Sequence, residues 1–230
     1  MKYMTLRLWI FTLAILLTPQ FLHAGTDRFA VWSATEADKN VIPPPQIPSI
    51  DYLPHTLIVP SLSSVLLGEM EIEFERTTLE EIQKSANVYT IYHRGDAGGS
   101  EDWVCYTISN DGKAERIWFS SGEVEGPDDE ISGFYAITGN EKMKPSASCP
   151  ELPAQLRPVT LKNSLWLGAH TDRLKQWLGK PSATRGEWRF YSYLGKVPIK
   201  DEAFNRLETI GMKVNNGRIV GLCEFQTTTN

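Results

Sequence analysis

The chain has 230 residues, of which 41% are hydrophobic, 22% charged and 10% aromatic, and its formal net charge is −5. That is the balance of a globular protein, and it excludes a disordered, collagen-like or polytopic membrane chain. An acidic chain without a basic block has no electrostatic footprint for nucleic acid and no polybasic handle for anionic lipid.

The first 24 residues read as a secretory leader. Lys2 and Arg7 form a positive start, Leu8 to Leu17 is an apolar run, Pro19 breaks it, and Leu22-His23-Ala24 offers a small residue for cleavage. An apolar run this short cannot cross roughly 30 Å of hydrocarbon, so stable membrane insertion is not expected. Removing the leader at Ala24 takes the net charge from −5 to −7. No cysteine follows the apolar run, so there is no site for bacterial lipidation. The expected location is the periplasm or the exterior.

Residues 25–69 form a proline-rich N-terminal segment, with Pro43, Pro44, Pro45, Pro48, Pro54 and Pro60 between positions 41 and 60. Proline sets φ and removes donors, so this stretch reads as an extended spacer lying on the domain surface.

Residues 70–140 read as a first unit. It opens on the alternating strand Met70–Phe74. A helix follows from Thr78 to Ala86, with Thr78 and Glu81 spaced as a capping box and Leu79, Ile82 and Ala86 on one face. Strands are predicted at Val88–His93, Trp103–Ser109, Glu115–Ser121 and Ile131–Thr138, separated by glycine- and aspartate-rich turns. A linker covers 141–161, and a second unit covers 162–230. There Thr171 is the expected N-cap of a helix carrying Leu174, Trp177 and Leu178. Gly179 and Pro181 end it. Strands are predicted at Glu187–Leu194, Leu207–Val214 and Arg218–Gln226, the last two joined by an Asn216-Gly217 hairpin turn. Two tandem copies of a short helix packed on an antiparallel β-sheet make the expected fold class α+β.

Three cysteines are present. Cys105 lies in a strand-like run and Cys149 in a proline- and serine-rich linker that needs tying down. In an oxidising compartment these two are expected to pair, leaving Cys223 as a buried thiol in an apolar strand.

Leu165-Trp-Leu-Gly168, Leu174, Trp177-Leu-Gly-Lys-Pro181, Trp188-Arg-Phe-Tyr191 and Asn216-Gly-Arg-Ile-Val220 together resemble the repeat of the SmpA/OmlA outer-membrane assembly lipoproteins. The pattern is also similar to the tandem units of the β-lactamase inhibitor protein. The resemblance covers 162–229 well and 70–139 loosely. It implies a small module that binds other proteins and performs no chemistry, its partner being an exported enzyme, a toxin or an envelope complex. This sequence departs from the lipoproteins in lacking their lipidated cysteine and in being read as two units. No contact residue transfers by position.

The chemistry-bearing residues are sparse. His93-Arg-Gly-Asp96-Ala-Gly-Gly-Ser100 gathers a histidine, an acid and a serine in one glycine-rich loop, the basis of an alternative reading as a small secreted hydrolase. No nucleophile elbow, P-loop, EF-hand or zinc spacing accompanies it, so no catalytic residue, metal ligand or cofactor is assigned. His170 stands at a helix N-terminus, where a cation is disfavoured. In Trp188–Tyr193, alternation puts Trp188, Phe190 and Ser192 on one face and Arg189, Tyr191 and Tyr193 on the other. With the first face against the helix, Arg189, Tyr191 and Tyr193 form the candidate partner-binding surface. The competing reading packs these aromatic residues beneath the proline-rich segment.

Overall fold

The computed structural model describes residues 41–60, 64–87, 90–95, 99–110, 113–122, 129–140, 142–161, 164–199 and 202–229. The predicted leader, the acids Glu123 to Asp128 and the Asp96 of the glycine-rich loop lie outside them.

In chain order the elements are β1 (Ser64–Leu67), β2 (Met70–Glu73), α1 (Leu79–Ala86), β3 (Tyr92–Arg94), β4 (Glu101–Asn110), β5 (Lys113–Gly122) and β6 (Gly133–Thr138). There follow β7 (Val159–Leu161), α2 (Thr171–Leu178), β8 (Ala183–Arg185), β9 (Trp188–Ile199), β10 (Glu202–Asn215) and β11 (Arg218–Thr229). Eight strands form one antiparallel sheet in the order β3-β4-β5-β6-β11-β10-β9-β8, and a second, three-stranded sheet runs β2-β1-β7.

The expected α+β class, with two tandem helix-on-sheet copies, is therefore corrected to a mainly β protein. Strands β6 and β11 pair with each other, so both sets of strands share one sheet. Each helix has only eight residues. Such a helix is about 12 Å long, while eight strands at roughly 4.8 Å spacing span some 34 Å. The helices cannot cover that width, and the small sheet covers much of the remainder.

Local signals explain the boundaries. At Thr78 the side chain accepts from the Glu81 N–H at 3.2 Å, and the Glu81 carboxylate accepts from the Thr78 N–H at 2.9 Å, completing the capping box. Helix α2 starts one residue earlier than expected: His170 is the N-cap, its Nδ1 accepting from the Asp172 N–H at 3.3 Å. Asn216 and Gly217 take φ of +49° and +72°, the left-handed pair that a two-residue β10–β11 turn requires.

Strand alternation sorts the sheet into two faces. On one, Val104, Phe119, Phe134, Glu224, Ile210 and Tyr191 form a row across β4, β5, β6, β11, β10 and β9. Leu79 and Ile82 of α1, Leu174 and Leu178 of α2, and Val65, Leu67, Ile72 and Leu161 of the small sheet close over this face. On the other, one register step along, the row reads Cys105, Trp118, Tyr135, Cys223, Gly211, Phe190. No helix covers it. The proline-rich segment does, with Val41, Ile42, Ile47, Ile50 and Leu53 against the aromatic rings. Trp103 and Trp118 both donate their indole N–H to the Ile42 carbonyl, at 3.2 and 3.0 Å. Arg185 donates to the carbonyls of Ser49 and Asp51.

The sheet's outer strands are guarded where β3 and β8 stop short. Beyond β3, Pro150 and Leu152 bond to Thr107 of β4, and beyond β8 the N–H groups of Thr56 and Leu57 donate to the Ser192 carbonyl of β9. Irregular chain thus satisfies backbone groups that would otherwise template pairing with another molecule. The first of these guards also delivers Cys149 to Cys105: their Cα atoms stand 4.7 Å apart, at disulfide distance. Cys223 is buried and free, as expected.

Candidate functional site

The glycine-rich loop is the first candidate. His93 ends up on edge strand β3, with Nδ1 2.9 Å from an Asp102 carboxylate oxygen and Nε2 3.1 Å from the Gly95 carbonyl. The carboxylate and the carbonyl both accept, and which ring nitrogen donates depends on the tautomer. Neither of these two contacts is to a serine.

A histidine–serine pair that sequence inspection missed lies elsewhere. His55 Nδ1 is 2.9 Å from Ser192 Oγ, across 137 positions of sequence. Ser192 is 0% exposed, and its hydroxyl also lies 3.3 Å from Thr209 Oγ1. It also carries the carbonyl that receives Thr56 and Leu57. This pair clasps the proline-rich segment to β9.

The surface expected at Arg189, Tyr191 and Tyr193 is oriented the other way. Tyr191 is 2% exposed and packs in one cluster with Leu174 and Leu178 of α2, and Tyr193, bridged to Leu57, is 7% exposed. Trp188, Phe190 and Ser192 face the proline-rich segment instead. The expectation of two open tyrosines is thus corrected. The helix chose the face whose cross-strand neighbours are Ile210 and Met212. Strand β9 alone has aromatic residues on both faces and cannot reveal that choice. Arg189 remains half-exposed and lines a cavity of about 380 Å3 together with Lys175, Lys180, Thr171 and the Tyr191 ring.

On the opposite side of β9 and β10, a groove of about 530 Å3 is lined by Ile50, Tyr52, Leu53, His55, Leu194 and Leu207, among others. Tyr52 is fully exposed, Leu194 50% and Leu207 41%. Leu194 and Leu207 are directly paired across β9 and β10, so their exposed surfaces are contiguous. No signal of spacing marked these leucines, since β9 and β10 run beyond the predicted ends at Leu194 and Leu207.

A third feature is a wedge of polar groups inside the helix-covered face. Glu208 and Glu224 are 0% and 1% exposed, and Gln226 is 1% exposed. Gln226 Nε2 and Thr228 Oγ1 both donate to Glu75 Oε2 at 2.6 Å. Neither carboxylate oxygen of Glu224 has a hydrogen-bond partner among the described residues. Burial, reinforced by the Glu208 charge, holds the Glu224 carboxyl well above the usual carboxylate range. Thr228 and Glu75 also line a cavity of about 500 Å3, into which Arg76, Arg206 and Glu130 face. No set of three or more potential metal ligands gathers among the described residues, here or elsewhere. None of the described helices is long and apolar enough to cross a membrane.

Compared with protein-family models, curated proteins and solved structures, the chain matches none.

Proposed function

We propose that this chain is an exported, non-enzymatic protein-binding module. It acts as an inhibitor or immunity-like factor, or as an accessory of envelope assembly, in the periplasm or outside the cell. The observation that carries this reading is the apolar groove of Tyr52, Leu194 and Leu207. Large side chains exposed together on a soluble surface are the usual mark of a protein contact, and aromatic anchors are enriched at such contacts. The resemblance of residues 162–229 to envelope assembly lipoproteins supports the same class. The occupant of the groove is another protein's apolar side chains. The described chain begins beside Ile42, whose carbonyl accepts from Trp103 and Trp118 on the β4–β5 side of the sheet.

The test is a photo-crosslinking amino acid at position 194, in the full chain expressed with its own leader, with position 84 on α1 as control. The expected result is one adduct with a second protein that depends on position 194 and disappears with Tyr52→Ala plus Leu207→Ser. An adduct to residues 25–40 of the same chain, a crosslinked homodimer, or no adduct would overturn the reading.

A further inference from the structure

We propose that His55 places a pH gate on the apolar groove: the groove accepts apolar side chains while the imidazole is neutral and rejects them once the ring carries a proton. This rests on the reading of that groove as the docking site and adds its regulation. His55 lines the groove with Tyr52, Leu53, Leu194 and Leu207, and it is exposed. Its segment is fastened to β9 on either side of the ring. Nδ1 lies 2.9 Å from Ser192 Oγ, the N–H groups of Thr56 and Leu57 donate to the Ser192 carbonyl, and Thr56 Oγ1 lies 2.6 Å from Ser182 Oγ. A charge on the imidazole is therefore held at the groove.

The fastening tolerates either state of the ring. Ser192 Oγ lies within reach of both His55 Nδ1 and Thr209 Oγ1, and a hydroxyl can donate to one neighbour while accepting from the other. A neutral ring can accept the Ser192 proton at Nδ1. An imidazolium instead donates from Nδ1, and Ser192 turns its proton to Thr209. Protonation leaves the clasp in place and changes only the charge that an incoming group meets.

That charge matters because the occupant is apolar. Covering a cationic imidazole with apolar side chains strips its water and returns no partner, a cost the neutral ring largely escapes. The charged groups around His55 do not offset it. In the proline-rich segment, Asp51 lines the same groove, but it is exposed to screening water and its carboxylate accepts from Ser49 Oγ at 2.7 Å. Strand β8 brings Arg185, which donates to the Ser49 and Asp51 carbonyls, and β9 carries exposed Lys196 on the Leu194 face. From β10, Leu207 and Thr209 line the groove, and alternation turns Arg206 and Glu208 to the opposite face. Two cations stand against one acid, so a further cation gains no net partner. Histidine is the side chain whose charge ordinarily changes between pH 5 and 8, which sets the window for the test. The other titratable groups of the lining are Asp51 and Tyr52.

The probe is N-phenylnaphthylamine, uncharged and fluorescent in apolar surroundings, titrated into the full chain at pH 5.5 and at pH 8. Binding is expected to weaken roughly fivefold or more at the lower pH. In His55→Asn, whose amide reaches the Nδ1 position and carries no charge, binding should be alike at both. Leu207→Lys, which fixes a cation in the groove, should bind at pH 8 as weakly as the parent does at pH 5.5. Equal or absent binding by the parent at the two pH values would overturn the proposal, whether or not either variant folds. So would a drop that persists in His55→Asn, or pH-dependent binding that survives Leu207→Ser and therefore lies outside the groove. An adduct at position 194 alongside pH-independent probe binding would remove this inference alone. A pH-dependent probe without that adduct would remove the protein-docking reading and leave the gate.

Discussion

The two faces of the eight-stranded sheet are closed by different means. On the helix-covered face, regular elements bring Leu79, Ile82, Leu174 and Leu178 down onto Phe119, Phe134 and Ile210. On the other, a proline-rich segment without regular structure lies over Trp103, Trp118, Trp188 and Phe190. An irregular cover lacks the repeating backbone ladder of a helix or strand, so side chains of the sheet supply part of its hydrogen bonding. The indoles of Trp103 and Trp118 and the guanidinium of Arg185 serve that role at the Ile42, Ser49 and Asp51 carbonyls. The covalent link also sits on this face, where secondary structure contributes least. The helix-covered face, with its surplus of regular packing, instead tolerates a buried polar wedge at Glu208, Glu224 and Gln226.

The strongest way to break the comparison is to remove the link. Cys105→Ser with Cys149→Ser is expected to cost about 4 kcal/mol, by releasing a closed loop in the unfolded chain. Reducing agent should destabilise the parent chain by a similar amount and leave the double variant unaffected, as read by denaturant unfolding.

Gly211→Ala comes next. A β-carbon there would lie 2.5 Å from Cys223 Sγ and 2.8 Å from the Phe190 ring, so the aromatic row must shift. A loss of about 2–3 kcal/mol is expected. Hydrogen exchange should rise first in residues 41–57 and last in α1, and uniform exchange would contradict a face-specific effect.

The polar wedge gives a pH test of the opposite face. The Glu224 carboxyl is held above the usual range by burial and the Glu208 charge, while in the unfolded chain it ionises near pH 4.3. The folded state then binds more protons, so this group's contribution is complete below the unfolded value and is lost as pH rises toward the folded one. Melts from pH 5 to pH 8 should show falling stability that Glu224→Gln flattens, by about 1–2 kcal/mol at the upper end. A Glu224→Gln profile as steep as the parent's would assign the slope to another group.

The smallest expected effect is at the helix cap. Thr78→Ala removes the acceptor for the Glu81 N–H and should cost about 1 kcal/mol, without changing exchange in the proline-rich segment. A matching change there would mean the two faces unfold as one unit.

Much of the strand pattern was legible because alternation and turn chemistry are local. The capping box at Thr78 and Glu81, the Asn216-Gly217 turn and the strand cores around Trp103, Trp118 and Leu222 each depend on residues within one element. The β1 and β7 strands were missed because four- and three-residue runs carry too few alternations to register. The β9–β10 hairpin runs beyond the predicted ends at Leu194 and Leu207, and Gly195 and Pro198 lie in the added part of β9, beyond its pairing with β8.

The candidate sites were less legible. Arg189 was selected from alternation and does line a cavity, but Tyr191 and Tyr193 were placed on the open side of β9 and lie on the covered one. The His55–Ser192 clasp and the Leu194–Leu207 patch join residues from separate segments, which no spacing rule connects.

By itself the sequence determined the cores of the longer strands, both helices, the tight turn and the cysteines best placed to meet. Each of these follows from backbone preferences and periodicity over a few residues. Only the tertiary structure decided that β6 pairs with β11 to make one sheet, and which face of β9 the helix takes. It also decided which carboxylates are trapped inside, because those outcomes depend on burying the most apolar area across distant strands, a quantity that no local window contains.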